Sequence, residues 1–178
     1  PLEQALPSLL VGETEKVVEL FRQHHGIELS ATELKVISVS PFVGQQLLRH
    51  PRWLESLRLS PPLADEHERY ATLLAQQLAP LTDENQLMNV LRLFKQEMSV
   101  RVAWAQGLNV IAAERLLLQL AQLAEALIDK ARLLLYAQAC ETFGQPQNSH
   151  GAEQTLLILA MGKLGGRELN FSSDIDLI

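Results

Sequence analysis

Apolar residues in the first 143 positions recur at spacings of three and four, the period of one helix face. Leu87, Leu91, Phe94, Met98, Val102 and Ala105 form one such stripe. Leu116, Leu120, Leu123, Leu127, Ala131, Leu134 and Gln138 form another in a helix expected to start near Val110. Polar punctuation separates the stripes. Ser30-x-x-Glu33 is the pattern of a capping box, in which hydroxyl and carboxylate each take up a free backbone donor. Ser40-Pro41 suits an N-cap followed by proline in the first turn, opening a helix over Phe42 to Arg49. His50-Pro51 interrupts it, and Ser60-Pro61-Pro62 forces an extended turn. A further helix is expected over Leu63 to Ala79, with Pro80 past its end, and then a cap at Thr82 or Asp83. Gly107 punctuates the next helix, and Gly144 is a natural residue just past the last one.

Beyond that point the pattern changes. Residues 144–153 are polar, with two glycines and a proline, and read as a linker. Leu156 to Met161 is a continuous apolar run, the signature of a strand covered on both faces. Gly162 to Gly166 turns the chain, and Arg167 to Leu169 leaves room for about one helical turn. Ser173 to Ile178 alternates like a strand just begun. The expected organisation is a helical region over 1–143, a linker over 144–153, and the first strands of a mixed α/β sheet over 154–178. A chain ending inside a strand is expected to be a fragment.

The composition narrows the class. With 47% hydrophobic and 20% charged residues the chain is globular, not disordered. The formal charge of −6 argues against a protein that wraps nucleic acid, which needs clustered lysine and arginine. One cysteine, Cys140, excludes an internal disulfide and a cysteine-rich zinc site, and a cytoplasmic home is expected. Charged residues break the apolar stretch from Val110 to Cys140, so no membrane span is expected.

Candidate chemistry is concentrated near the end. Asp174 and Asp176 are two apart in an expected strand, so both side chains leave one face, roughly 7 Å apart. Paired carboxylates repel unless a cation lies between them, and Mg²⁺ completed by substrate phosphates suits them. Gly165-Gly166 offers close approach and backbone N–H groups to a phosphate chain. Ser172 and Ser173 either bind phosphate or shape the turn. An Asp-x-Asp alone is more often a solvated pair, and Gly-Gly more often a plain turn. The order strand, Gly-Gly, short turn, Ser-Asp-x-Asp is more specific, and it suits nucleotidyl transfer. The frames of a P-loop and of a dinucleotide-binding turn are absent.

The string Met161-Gly-Lys-Leu-Gly-Gly-Arg-Glu-Leu-Asn-Phe-Ser-Ser-Asp-Ile-Asp-Leu-Ile178 resembles the signature of the DNA-polymerase-β-like nucleotidyltransferases. More closely, it is similar to the bifunctional glutamine synthetase adenylyltransferase/adenylyl-removing enzymes, which carry two such domains in tandem. Met161-Gly162 and Asn170-Phe171 resemble the N-terminal, adenylyl-removing half, as do Ser40-Pro41-Phe42-Val43, His50-Pro51-Arg52-Trp53-Leu54, Leu91-Arg92-Leu93-Phe94 and Arg101-Val102-Ala103-Trp104-Ala105. The resemblance implies a polymerase-β-like fold and Mg²⁺-dependent phosphorolysis that releases AMP from a tyrosine of glutamine synthetase as ADP. It implies Asp174 and Asp176 as catalytic metal ligands, Gly165 and Gly166 in contact with phosphate, and nucleotide (ATP or ADP) and phosphate as ligands; Ser172 and Ser173 stay candidates beside them. It implies glutamine synthetase as substrate and the PII signal protein as regulator, with no membrane or nucleic acid partner. A third carboxylate is implied on a strand after Ile178, so the fragment alone is not expected to catalyse. The alternatives are a helical protein-binding module with a non-catalytic half-site, or another transferase of the superfamily such as a PII uridylyltransferase.

Other residues read blandly. His24, His25, His50, His67 and His150 show no ligand spacing, and Trp53 and Trp104 suit a core. Cys140 suits a small buried residue. Arg92, Lys95 and Arg101 make a basic stripe expected to be a solvated face.

Overall fold

The capping box forms as read. The Glu33 N–H donates to Ser30 Oγ at 3.3 Å, and Glu33 Oε2 accepts from the Ser30 N–H at 2.7 Å. The computed structural model in which these bonds appear describes residues 8–81 and 83–178, so the alternative cap at Thr82 lies outside the described residues. Eight α-helices are formed among the described residues, and the chain is mainly helical. It divides into two compact units, one running up to Glu66 and resuming over Gln96–Leu116, the other comprising His67–Lys95 and Leu117–Ile178.

The first unit contains α1 (Ser8–His25), α2 (Ala31–Val39), α3 (Pro41–Arg49) and α4 (Pro51–Leu59). Helices α1, α2 and α3 pack on one another, and α4 packs on α3. Pro41 and Pro51 occupy first-turn positions where the missing N–H costs nothing. Neither Ser40 nor His50 adds a side-chain cap; the His50 ring stacks on Trp53 instead, centroids 4.0 Å apart. Phe21, Val36, Ile37, Val43, Leu47, Leu54 and Leu57 form the core with Val100, Ala103 and Trp104 from α6 (Glu84–Gly107). Gly44 sits at a close approach: a Cβ there would lie 2.9 Å from Ile37 Cγ2.

Two ion pairs tie this unit across long sequence separations. Arg58 donates to both oxygens of the buried Glu33 carboxylate, at 2.6 and 2.9 Å, and to the Glu28 carbonyl at 2.9 Å. Burial alone would raise Glu33, but its bonds to Arg58 and Ser30 and the Arg58 charge outweigh burial and hold the carboxyl below its ordinary range. The Glu33 carboxylate in turn raises the Arg58 guanidinium. Arg101 is the second tie and corrects an expectation. It is not part of a solvated stripe, because it is buried with its guanidinium 2.5 Å from the Glu66 carboxylate and donating to the Ser60 carbonyl at 2.9 Å. Arg92 and Lys95 are exposed as expected. Burial pushes the nearby Glu97 carboxyl up; Arg101 opposes this and Glu66 adds to it.

The expected helix over Leu63 to Ala79 is also corrected. A 3₁₀ turn spans Glu66–Arg69, and only α5 (Tyr70–Leu78) is α-helical. The buried Glu66–Arg101 pair begins that turn, so a tertiary charge contact coincides with the break in the helical pattern. In the second unit Tyr70, Leu74 and Leu78 bury one face of α5, and Tyr70 meets Phe94 edge-on at 6.4 Å. Asp83 caps α6, accepting from the Gln86 N–H at 2.9 Å. Helix α7 runs Ala113–Phe143, three residues later in its start than the expected Val110. Its stripe is buried at Leu116, Leu120 and Leu123 and half-buried at Leu127, Ala131 and Leu134. Gln138 is exposed.

Residues 144–153 form a closed turn. Asn148 Oδ1 accepts from the N–H groups of His150 (2.9 Å) and Ala152 (3.0 Å), and Gln147 bridges Glu153. The segments expected as strands are extended, but no strand is formed among the described residues. One antiparallel bridge, Ala160 to Leu177, joins them. Leu159 and Ile178 exchange two backbone bonds at 2.7 and 3.0 Å, and the Met161 N–H donates to the Asp176 carbonyl at 2.9 Å. The expected burial on both faces is not found: Leu157 is 78% and Leu159 61% exposed. Side chains of α7 hold the run from one side only, Arg132 through the Leu156 carbonyl and Tyr136 through that of Gln154.

Candidate active site

The turn between the two extended segments carries the residues singled out for chemistry. Its short helix is α8 (Gly162–Gly165), so the helical turn lies over Gly162 to Gly165, and not over Arg167 to Leu169 as expected. Leu164 and Leu169 are its two buried side chains, anchoring an otherwise exposed loop. Leu164 and Leu177 line a cleft of about 520 Å³ with Ile128, Arg132, Leu133 and Ile158.

Glycine is required at two places here. Gly162 has φ +54°, in the left-handed region, and its missing Cβ would lie 3.6 Å from Asp176 Oδ2. At Gly165 a Cβ would come within 2.4 Å of the Ala160 carbonyl oxygen, so only glycine lets α8 lie this close to the extended run. The N–H groups of Gly165 and Gly166 donate to the Met161 and Gly162 carbonyls, both at 3.0 Å. These two donors serve the turn itself, and Gly165 acts by close packing.

Ser172 and Ser173 gather on Asn170. Its Oδ1 accepts from Ser173 Oγ at 2.8 Å, from Ser172 Oγ at 3.2 Å and from the Ser172 N–H at 3.1 Å. Of the two roles left open for these serines, the bonds they make are those of turn shaping. Asn170 entered the sequence reading only through the resemblance of Asn170-Phe171, although an Asn two residues before Ser-Ser is a turn-forming signal. Arg167 has φ +57°, and its Nε donates to Glu125 of α7 at 3.1 Å.

Asp174 and Asp176 are exposed. The chain brings Asp176 against the head of α8, its backbone bonded to Met161 and its carboxylate beside Gly162. Its neighbour Leu177 lines the apolar cleft. Among the described residues no group of three His, Cys, Asp or Glu side chains converges. Asp176 is the acid set beside Gly162, and both carboxylates are accessible oxygen donors of the kind hard cations take. His25 lies 3.1 Å from the Leu48 carbonyl through Nε2, in keeping with the bland reading of the histidines.

A family model described as glutamate-ammonia ligase adenylyltransferase matches residues 31–178, from the first residue of α2 through the whole candidate site. The chain belongs to that family. Membership makes the parent protein a nucleotidyltransferase in the regulation of glutamine synthetase by adenylylation. The matched stretch takes in the second unit and the first unit from α2 onward, so these helices and the Gly-Gly/Asp-x-Asp turn belong to one family pattern. Among the described residues no helix is long and apolar enough to cross a membrane.

Proposed function

We propose that this adenylyltransferase-family chain carries the opening of an adenylyl-removing site, on a polymerase-β-like sheet that begins with residues 154–178. The observation that supports it most is the pairing of Met161 with Asp176, which sets a carboxylate beside Gly162 at the start of the glycine turn. In this reading Asp174 and Asp176 hold Mg²⁺, and Gly165 and Gly166 form the floor over which nucleotide phosphates pass. Mg²⁺ bound there would neutralise phosphate charge. The chain's own part is positional. Gly165 keeps α8 against Ala160, Asn170 gathers Ser172 and Ser173 and sets the direction of the acidic segment, and Leu164 and Leu169 seat the turn. The substrate is the adenylylated tyrosine of glutamine synthetase and the acceptor is inorganic phosphate. ADP leaves, and the PII signal protein regulates the reaction. A cytoplasmic site of action follows.

The test uses the full-length protein with adenylylated glutamine synthetase, phosphate and Mg²⁺, measuring ADP. Asp174→Asn and Asp176→Asn should each lower release by about a hundredfold or more, given what a metal supplies to phosphoryl transfer. Their melting temperatures should not move, because both side chains are exposed. Retained activity in either variant would remove that acid from the site.

A further inference from the structure

Two non-glycine residues among those described have a positive φ, Asn109 (58°) and Arg167 (57°). Asparagine visits this region readily because its short amide bonds locally; arginine has no such compensation, and glycine would sit there without strain. An outlier next to a candidate site points to a use for its side chain. That side chain is engaged. Arg167 Nε and Nη2 face Glu125 Oε1 and Oε2 at 3.1 and 3.5 Å, a side-on pairing that a lysine could not reproduce. The backbone around it is closed by Arg167 N–H to the Leu164 carbonyl (3.0 Å) and Glu168 N–H to the Lys163 carbonyl (2.8 Å). Glu125 belongs to α7 and borders the same cleft as Leu164. One end of the turn thus meets the long helix α7 through an exposed, two-point ion pair, with buried leucines on either side. The other end, Gly162, lies beside the Asp176 carboxylate.

We propose that Arg167 is a positioning residue. Through Glu125 it fixes the glycine turn on α7, and through the turn it sets the distance between Gly162 and Asp176. This rests on the adenylyl-removing reading for its kinetic consequence but not for its structural one. The informative change is Arg167→Gly, since glycine suits the backbone and removes only the side chain. In the full-length protein it should leave the melting temperature unchanged, speed amide exchange in residues 163–168, and lower the rate of ADP release about tenfold with KM for adenylylated glutamine synthetase unaltered. Arg167→Glu should be slower still, and the reciprocal pair Arg167→Glu with Glu125→Arg should recover to within about threefold of the parent. Unchanged exchange and rate in Arg167→Gly would overturn the proposal. So would a reciprocal pair as slow as Arg167→Glu, because the guanidinium would then act on substrate and not through Glu125. A parent enzyme that releases no ADP would count against the reaction assigned above, and the exchange rates would still judge the tie.

Discussion

Helices α2 to α4 and the extended run at 156–161 are built from the same kinds of side chain and meet opposite fates. Val36 and Leu54 are fully buried and Ile37 is 2% exposed, whereas Leu157 and Leu159 remain mostly in water. Hydropathy does not separate them; period does. A helix with an apolar stripe offers one face, and a single layer of neighbours satisfies it. An extended run alternates, so it needs a layer on each side. Here Ile158 is half-buried, while Leu157 and Leu159 on the alternate positions stay open. The residues with candidate chemistry all sit in the less covered region, where accessible carboxylates and a shallow turn are chemically useful and contribute little to stability.

The sharpest way to break that contrast is to remove a charge from the covered region. Arg101→Ala leaves Glu66 buried with its cation gone, a change that costs about 3–5 kcal/mol in comparable cases. A large fall in the denaturant midpoint is expected at neutral pH. A loss below 1 kcal/mol would mean that water reaches the pair, and that the first unit is less closed than its burial says.

Gly165→Ala probes the exposed region at its one tight point. A Cβ within 2.4 Å of the Ala160 carbonyl must push α8 away from the extended run, at a cost of about 1–3 kcal/mol as for other overpacked sites. The same shift moves Gly162 from Asp176, so ADP release by the full-length protein should fall even at temperatures where the variant is folded. Normal release and an unchanged melting curve would show that the turn has slack.

Next in size is a pH effect, for which two carboxylates of the first unit give opposite signs. Glu33 is held below its ordinary range in the fold, so its contribution is present above the ordinary carboxylate range and is lost as acid titrates the folded form. Glu33→Gln should therefore cost about 1 kcal/mol at pH 7, with the penalty shrinking below about pH 4. Glu97 is raised, so its charged form is the one the fold disfavours, and stability falls as pH rises through its folded value. Glu97→Gln should be neutral or slightly stabilising at pH 7 and should flatten that loss. Urea midpoints from pH 3 to 8 would reveal either sign as wrong.

What could be read from residues alone follows the range of the interaction responsible. Local rules were enough for the Ser30/Glu33 box, for the proline start at Pro41 and for the interruption at His50-Pro51, because each depends on a few neighbours. Arg101 was misread since its partner lies 35 residues away, and no stripe on one helix reveals a carboxylate on another segment. The same distance hid the 3₁₀ turn at Glu66. At the candidate site the acids and glycines were legible as a pattern, but Gly165's role was not. Its N–H bonds inward, and what makes it glycine is a carbonyl five residues earlier. Nothing in the string marks Arg167, whose partner is distant in sequence and whose φ is unusual.

The smallest expected effect tests the contrast most directly. Leu157→Ala should change the stability of this chain by no more than about 0.5 kcal/mol, as for other exposed positions. The same truncation at Leu54 should cost about 2–5 kcal/mol, because it empties space inside a packed core. A single urea titration of each variant suffices. If Leu157→Ala proved nearly as damaging as Leu54→Ala, the outer face of the extended run would be covered in solution. The two regions would then differ in where their apolar residues lie along the chain, and not in how much water they meet. If the gap holds, residues 156–161 keep their extended form through the pairing with 176–178 and the two side-chain bonds from α7, and not through burial. Weakening those backbone and side-chain bonds, and not the side chains of Leu157 or Leu159, would then be what displaces Asp176 from Gly162.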